Sequence, residues 1–195
     1  MKKKRKNVIS VSFIGENAHD VTGSMTLIKF NDKNILLEAG LFQGLSVDKD
    51  FEINSKQFKE FKPKEIDYVF IGHIHADHSL LIPRLFKEGF KGKVIMPGHG
   101  KELLETMAKD SAFIIAKDAT YLSKQKGKKI EPIYTEDHVS LMIENTLEFQ
   151  MNQENQLTED LSFIFIPSGH IINAAQIILK IKIETQFLIM FLLYF

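Results

Sequence analysis

His73-Ile74-His75-Ala76-Asp77-His78 is the stretch on which the rest of this chain is organised, since it places three imidazoles and one carboxylate within six positions. The apolar run Ile66–Gly72 precedes it, as is typical of a strand buried on both faces. Residues 79–89 follow it and predict a helix, with Pro83 near its first turn and Gly89 at its end. The stretch is therefore predicted at the carboxyl end of a central strand, where ligands commonly bind in α/β sheets.

The side chains of this stretch have the chemistry of metal ligands. Zinc takes imidazole nitrogens and carboxylate oxygens, and a catalytic zinc keeps one position open for water. His73 and His75 are two residues apart near a strand end and point the same way, whereas Asp77 and His78 lie beyond the turn and can reach a second metal. The alternative is a solvated loop rich in histidine and aspartate with no ligand role. The density of the cluster after a buried strand favours the metal site.

The pattern His73-x-His75-x-Asp77-His78 resembles the signature of the metallo-β-lactamase fold superfamily. The resemblance implies that the first two histidines bind one zinc and that the Asp-His pair binds a second zinc. It also implies a further histidine from a later loop. His170 matches that position, because it ends a Pro-Ser-Gly-His segment between two apolar strands.

Two other segments, Asp20–Ser24 and Leu36–Gly44, narrow the resemblance. They are similar to the branch that contains the β-CASP RNA nucleases and their RNA-specificity-domain relatives. That branch often has an aspartate at the position of Glu38. In the family that residue supports the segment that corresponds to His73–His78, here called the metal loop. The resemblance therefore implies that Glu38 supports the metal loop without binding the metal. The alternative is a strand-end glutamate that faces water.

Composition sets broad limits on the class of protein. The 195 residues are enough for one core and one domain. The formal net charge of zero provides no global basic field that would attract nucleic acid, and the basic cluster Met1–Lys6 is interpreted as a solvated tail. The absence of cysteine excludes disulfides and thiolate zinc sites and fits a cytoplasmic protein. No secretory cleavage pattern or membrane span is predicted.

The remaining pattern predicts an α/β fold. The resemblance implies the αββα type, an incomplete β-sandwich with helices on its outer faces. Residues 46–62 predict a loop with helical turns, and residues 101–126 a long helix that breaks near Asp110-Ser111. A further helix follows Thr135 as its N-cap. Strands are predicted at residues 7–14, 24–30, 34–38 (a hairpin turned at 31–33), 93–96, 147–151, 161–166 and 174–183, with residues 152–160 as a turn region.

Residues 1–195 are interpreted as one domain, the N-terminal part of a metallo-β-lactamase domain. The family pattern covers about residues 8–183, and residues 184–195 form an aberrant apolar tail. The aspartate that bridges the two zincs in the family is absent from this range. We therefore expect a truncated or frameshifted reading frame, which is tested by reading the DNA past codon 183 in the other frames. If no frame encodes a continuation with a Ser-Asp or Gly-Asp pair, the frameshift hypothesis fails.

The function implied by the resemblance is zinc-dependent hydrolysis, with RNA phosphodiesters as the favoured substrate and a metal-bound hydroxide as the nucleophile. His73, His75 and His170 would hold one zinc, Asp77 and His78 the other, and Asp77 would orient the nucleophilic water. The family binds two zinc ions, and the three histidines alone suffice for one here. Two alternatives stay open: a hydrolase of small esters, thioesters or lactams, and a truncated remnant that binds zinc without catalysis. The other histidines considered, His99 and His138, are interpreted as a turn residue and a helix residue.

Overall fold

The first of two β-sheets carries the segment with the dense histidine pattern. A computed structural model describes residues 8–15, 22–184 and 186–192. The first three strands of this sheet are antiparallel, and its third to sixth strands are parallel neighbours. In spatial and chain order the strands are β1 (Ser10–Phe13), β2 (Thr26–Phe30), β3 (Lys33–Leu37), β4 (Tyr68–Phe70), β5 (Lys93–Pro97) and β6 (Thr146–Phe149). Because parallel strands end at the same edge of a sheet, the segments that follow β3, β4 and β5 come together there.

The second sheet is antiparallel and has four strands. They are β7 (Asn155–Thr158), β8 (Leu161–Pro167), β9 (Ala175–Ile183) and β10 (Gln186–Leu192), in the spatial order β10-β9-β8-β7. The loop between β8 and β9 contains His170. Ala175 at the start of β9 donates its backbone N–H to the carbonyl of Gly72 at 2.8 Å, so this loop is tied to the segment that follows β4.

Within the described residues, five α-helices pack on one face of the first sheet. They are α1 (Val47–Lys56), α2 (Ala76–Ser79), α3 (Ile82–Lys87), α4 (Lys101–Lys126) and α5 (Glu136–Glu144), with single turns of 3₁₀ helix at Gln57–Lys59 and Pro63–Glu65. None of the helices within the described ranges is both long and apolar enough to cross a bilayer.

Alternation along the strands divides the apolar side chains between two cores. On β3, Leu36 faces the helices, while Ile35 and Leu37 face the second sheet. Phe163 of β8 stacks edge-on against Phe70 of β4 with ring centroids 5.1 Å apart, which joins the two sheets. The predicted α/β architecture with two packed sheets is confirmed.

Most predicted strands are confirmed. β2 and β3 form the predicted hairpin, with Asn31 in the left-handed region at φ 49° in its turn. The strands predicted at 161–166 and 174–183 match β8 and β9 to within one residue. The segment 152–160 was predicted to contain only a turn, which is wrong, since it includes β7. The side chains of β7 show only weak alternation of buried and exposed positions, and the strand pairs with β8 at the sheet edge. Its polar composition therefore does not predict a strand.

Two predictions about helices are also wrong. Residues 79–89 do not form one helix, because the backbone N–H of Leu81 donates to Ala39 outside the helix and separates α2 from α3. Pro83 does lie in the first turn of α3, as predicted. Helix α4 runs unbroken through Ser111, whose hydroxyl lies 2.8 Å from the buried Tyr134 hydroxyl and so has a hydrogen bond away from the helix backbone.

Candidate metal centre

Three of the histidines that the sequence singles out meet in space. His73 and His75 lie in the loop after β4, and His170 lies in the loop between β8 and β9. His75 Nδ1 and His170 Nε2 are 3.2 Å apart. The ring centroids are 4.8 Å apart for His73 and His75, 5.1 Å for His73 and His170, and 5.0 Å for His75 and His170. One nitrogen of each ring thus lies within 4.8 Å of the other two.

The separation of the ring nitrogens of His75 and His170 fits a tetrahedral metal ion. Zinc–nitrogen bonds of about 2.0–2.1 Å at tetrahedral angles place the ligand nitrogens about 3.3 Å apart. The measured separation of His75 Nδ1 and His170 Nε2 is 3.2 Å. Three imidazoles leave the fourth tetrahedral position for water or substrate, which is the arrangement of a catalytic site rather than a structural one.

Burial lowers the pKa of two imidazoles of the cluster, those of His73 and His78. Burial, with a smaller contribution from the three neighbouring histidines, lowers the pKa of His73 to about 3. Burial also lowers the pKa of His78, against the opposing effect of Asp77. His73 is therefore neutral at pH 7, with a lone pair available to a cation.

A second group of donors adjoins the three histidines. The ring of His78 lies 4.1 Å from that of His73, centroid to centroid. Asp77 places Oδ2 3.6 Å from Nε2 of His78. The Asp-His pair thus presents a carboxylate oxygen and an imidazole nitrogen together, beside the first group.

Glu38 lies beneath His78 and is completely buried. Its Oε1 accepts a hydrogen bond of 2.8 Å from the backbone N–H of Gly72, and its Oε2 is 3.9 Å from His78 Nδ1. The alternative in which Glu38 faces water is wrong. The contacts agree with support of the metal loop, but the carboxylate also groups with His73 and His78 as a set of possible metal donors, which the sequence did not predict.

The comparison with protein families identifies the fold. Residues 20–154, more than half of the chain, match the family model described as the metallo-beta-lactamase superfamily. The chain belongs to the metallo-β-lactamase superfamily. Membership implies that this metallo-β-lactamase domain binds a divalent metal, and the groups around His73 are candidates for its ligands.

Two curated relatives of this metallo-β-lactamase domain are named as ribonucleases. "Ribonuclease TTHA0252" of Thermus thermophilus is 37% identical over 94 residues, which cover 48% of this chain and 21% of that protein. "Probable RNase MJ4" of Methanocaldococcus jannaschii is 28% identical over 163 residues, which cover 84% of this chain and 34% of that protein. The domain therefore spans a fifth to a third of the length of these relatives.

A solved structure agrees on the fold. The subclass B3 metallo-beta-lactamase MEM-A1, isolated from a soil metagenome library, superposes with a TM-score of 0.52 at 16% sequence identity. The superposition covers 93% of this chain and 59% of that one. At this level of identity the likeness shows the shared fold, and the reaction has to be argued from the site itself.

Other histidines of the metallo-β-lactamase domain lie outside both donor groups. The exposed His99 has φ 67° in the turn after β5, and its carbonyl accepts a hydrogen bond of 2.6 Å from the Asn173 side chain. His138 lies in the first turn of α5, where its Nδ1 is 3.1 Å from the Thr135 backbone nitrogen and 2.7 Å from the Thr135 hydroxyl. His99 therefore lies in a turn and His138 on a helix, as predicted. Asp20 and Val21 of the quoted family segment lie outside the described residues.

Backbone hydrogen bonds fix the metal loop against the segment after β3. Ala39 donates to the carbonyl of His78 at 2.8 Å, and Leu41 donates to that of Ala76 at 2.9 Å. The hydroxyl of Ser79 lies 2.9 Å from the carbonyl of Ile74, within the same loop. These contacts come from backbone groups and from the Ser79 hydroxyl, so they position the loop against its neighbouring segment without contacts from the imidazoles.

Gly40 is required where these two segments touch. A Cβ atom at this position would lie 1.7 Å from the carbonyl oxygen of Asp77, which is backbone and has no room to move. We expect Gly40→Ala to lower the free energy of unfolding by about 3 kcal/mol or more, as measured by urea denaturation. Gly98→Ala is the matched control, since its Cβ would lie 3.4 Å from the nearest atom. Equal stability of the two variants would contradict the prediction.

Proposed function

We propose that this metallo-β-lactamase domain is a zinc-dependent hydrolase that cleaves RNA phosphodiester bonds. The observation that carries the proposal is the meeting of His73, His75 and His170 beside the Asp77–His78 pair. Imidazole nitrogens and a carboxylate oxygen are ligands that suit zinc. The curated relatives named as ribonucleases support RNA as the substrate class. The chain has no cysteine, and a reducing cytoplasm is the compartment we propose.

In this proposal the histidines and acids have distinct roles. His73, His75 and His170 would hold one ion, and Asp77 and His78 would hold the other. When bound, the ions would supply Lewis acidity and would lower the pKa of water toward about 7. Asp77 also accepts a proton from the attacking water and so orients it. Glu38 keeps His78 in place through its buried carboxylate, which faces His78 Nδ1.

The test is hydrolysis by the zinc-loaded chain of a base-free phosphodiester, bis(p-nitrophenyl) phosphate, and of a single-stranded RNA oligonucleotide. We expect zinc-dependent turnover of both, with far slower turnover of a thioester and of a β-lactam. Turnover of the thioester or lactam without cleavage of either diester would overturn the proposal in favour of a small-molecule hydrolase. Bound zinc without any turnover would overturn it in favour of a non-catalytic zinc-binding domain.

A further inference from the structure

A cavity of about 330 Å³ opens beside the metal loop. Its wall includes Ala76, the residue between His75 and Asp77, and the segment Leu41–Gln43 that follows β3. Leu41 donates its backbone N–H to the carbonyl of Ala76, so this wall is fixed to the loop that carries the metal donors. A group that binds in the cavity therefore lies beside the segment that carries His75 and Asp77.

The size and the apolar lining of the cavity suit a flat ring. The volume lies at the lower end of small-molecule pockets, which are about 300–1,000 Å³. Its lining includes Phe51 of α1 and Met107 and Ile114 of α4. Proteins commonly bind single-stranded nucleic acids through bases that leave the stack and lie against aromatic or apolar side chains.

Two carboxylates give the cavity a polar character. Asp110 and Asp118 of α4 line it, and neither has a hydrogen bond or ion pair with another residue in the part of the chain that the structure describes. Burial raises the pKa of Asp118. The third carboxylate, Asp50, is occupied, since its two oxygens accept the backbone N–H groups of Gly44 and Leu45 at 3.2 and 3.1 Å.

We propose that this cavity is a nucleobase subsite that selects guanine, adjacent to the bond that is hydrolysed. The proposal rests on the proposed function, because it assumes that the substrate is RNA. An ionised carboxylate only accepts hydrogen bonds, and guanine presents two adjacent N–H donors on its Watson–Crick edge. Uracil presents a single N–H between two carbonyl oxygens, which a carboxylate repels. The same negative charge keeps phosphates out of the cavity and leaves them to the histidine groups.

The test is calorimetric titration of the zinc-loaded chain with guanosine 5′-monophosphate and with uridine 5′-monophosphate. Hydrogen bonds to a charged acceptor are strong enough that we expect at least about tenfold tighter binding of the guanine nucleotide. Asp110→Asn is expected to reduce that preference to less than about threefold and to leave the binding of the uracil nucleotide equal or tighter. Asp110 is exposed, so the variant keeps its fold. Glu105→Gln is the matched control, because Glu105 pairs with Lys109 outside the cavity.

Equal affinity for the two nucleotides, no binding of either, or an unchanged preference in Asp110→Asn would overturn the base subsite. These titrations need no turnover. The proposed function is judged separately, by turnover of bis(p-nitrophenyl) phosphate, which carries no base. A guanine preference without diester turnover would thus refute the hydrolase and retain the subsite, and diester turnover without a preference would do the opposite.

Discussion

His170→Ala is expected to lose the zinc bound by the three histidines, with an affinity more than about a hundredfold lower, since even the loss of a residue that only orients a ligand costs about 10–100-fold. The His170 imidazole supplies one of three clustered donors, with its Nε2 3.2 Å from His75 Nδ1. His170 is exposed in the loop between β8 and β9, whereas His73 is only 5% exposed. Alanine at position 170 therefore tests binding of the metal without removing a buried side chain. Elemental analysis of the purified chain and competition with a chromogenic chelator give the stoichiometry and the affinity.

His99→Ala is the matched control for this experiment. His99 is also an exposed histidine in a loop at the same edge of the fold, but it belongs to neither group of donors. The zinc content and the zinc affinity of the His99→Ala variant are expected to equal those of the unmodified chain. The assignment of His170 would be wrong if His170→Ala kept one zinc per chain at unchanged affinity, or if His99→Ala lost the metal as well. Elemental analysis also identifies the ion, because iron or manganese would appear in place of zinc.

The sequence predicted the proximity of His73, His75 and His170 better than it predicted the segments around them, for a physical reason. The histidines and Asp77 are close in the chain, so their proximity in space needs only a strand end and a turn. His170 is distant in sequence, and it was assigned through the resemblance to the family, whose later histidine also lies in a turn between two apolar strands. The position of Glu38 depends on which strand lies beside β3. Its carboxylate reaches Gly72 only because β3 and β4 pair in parallel, which cannot be read from either segment alone.

The long helix shows the same limit of local patterns. A polar Asp110-Ser111 pair in the middle of an imperfect apolar stripe predicts a break. In the structure the Ser111 hydroxyl forms a hydrogen bond with Tyr134, 23 residues away. The hydroxyl therefore does not compete with the backbone hydrogen bonds of the helix and instead stabilises the packing of the helix. Strand β7 was missed for the opposite reason. Its residues lack a strong strand pattern and are held by pairing with the apolar β8.

Asp77→Asn is expected to lower the turnover of bis(p-nitrophenyl) phosphate by about a thousandfold, in the range of 10²–10⁴ that positioned general bases contribute. The amide is nearly isosteric with the carboxylate, but it neither accepts a proton nor carries the negative charge that favours a second metal ion. Asp77 stands in a half-buried loop whose backbone is held by Ser24 and Ala39 rather than by its side chain, so the loop is expected to persist. The zinc held by the three histidines should remain, at about one ion per chain.

The Asp77→Asn variant is interpreted from its turnover and its zinc content together. A loss of turnover with one retained zinc places the function of Asp77 in the reaction or in the second ion, not in the formation of the first site. Asp137→Asn is the matched control, since Asp137 is an exposed aspartate at the start of α5 outside both donor groups, and its turnover should not change. Full turnover in Asp77→Asn would show that the base lies elsewhere. Loss of all zinc would show instead that Asp77 and the three histidines form a single binding unit rather than two adjacent ones.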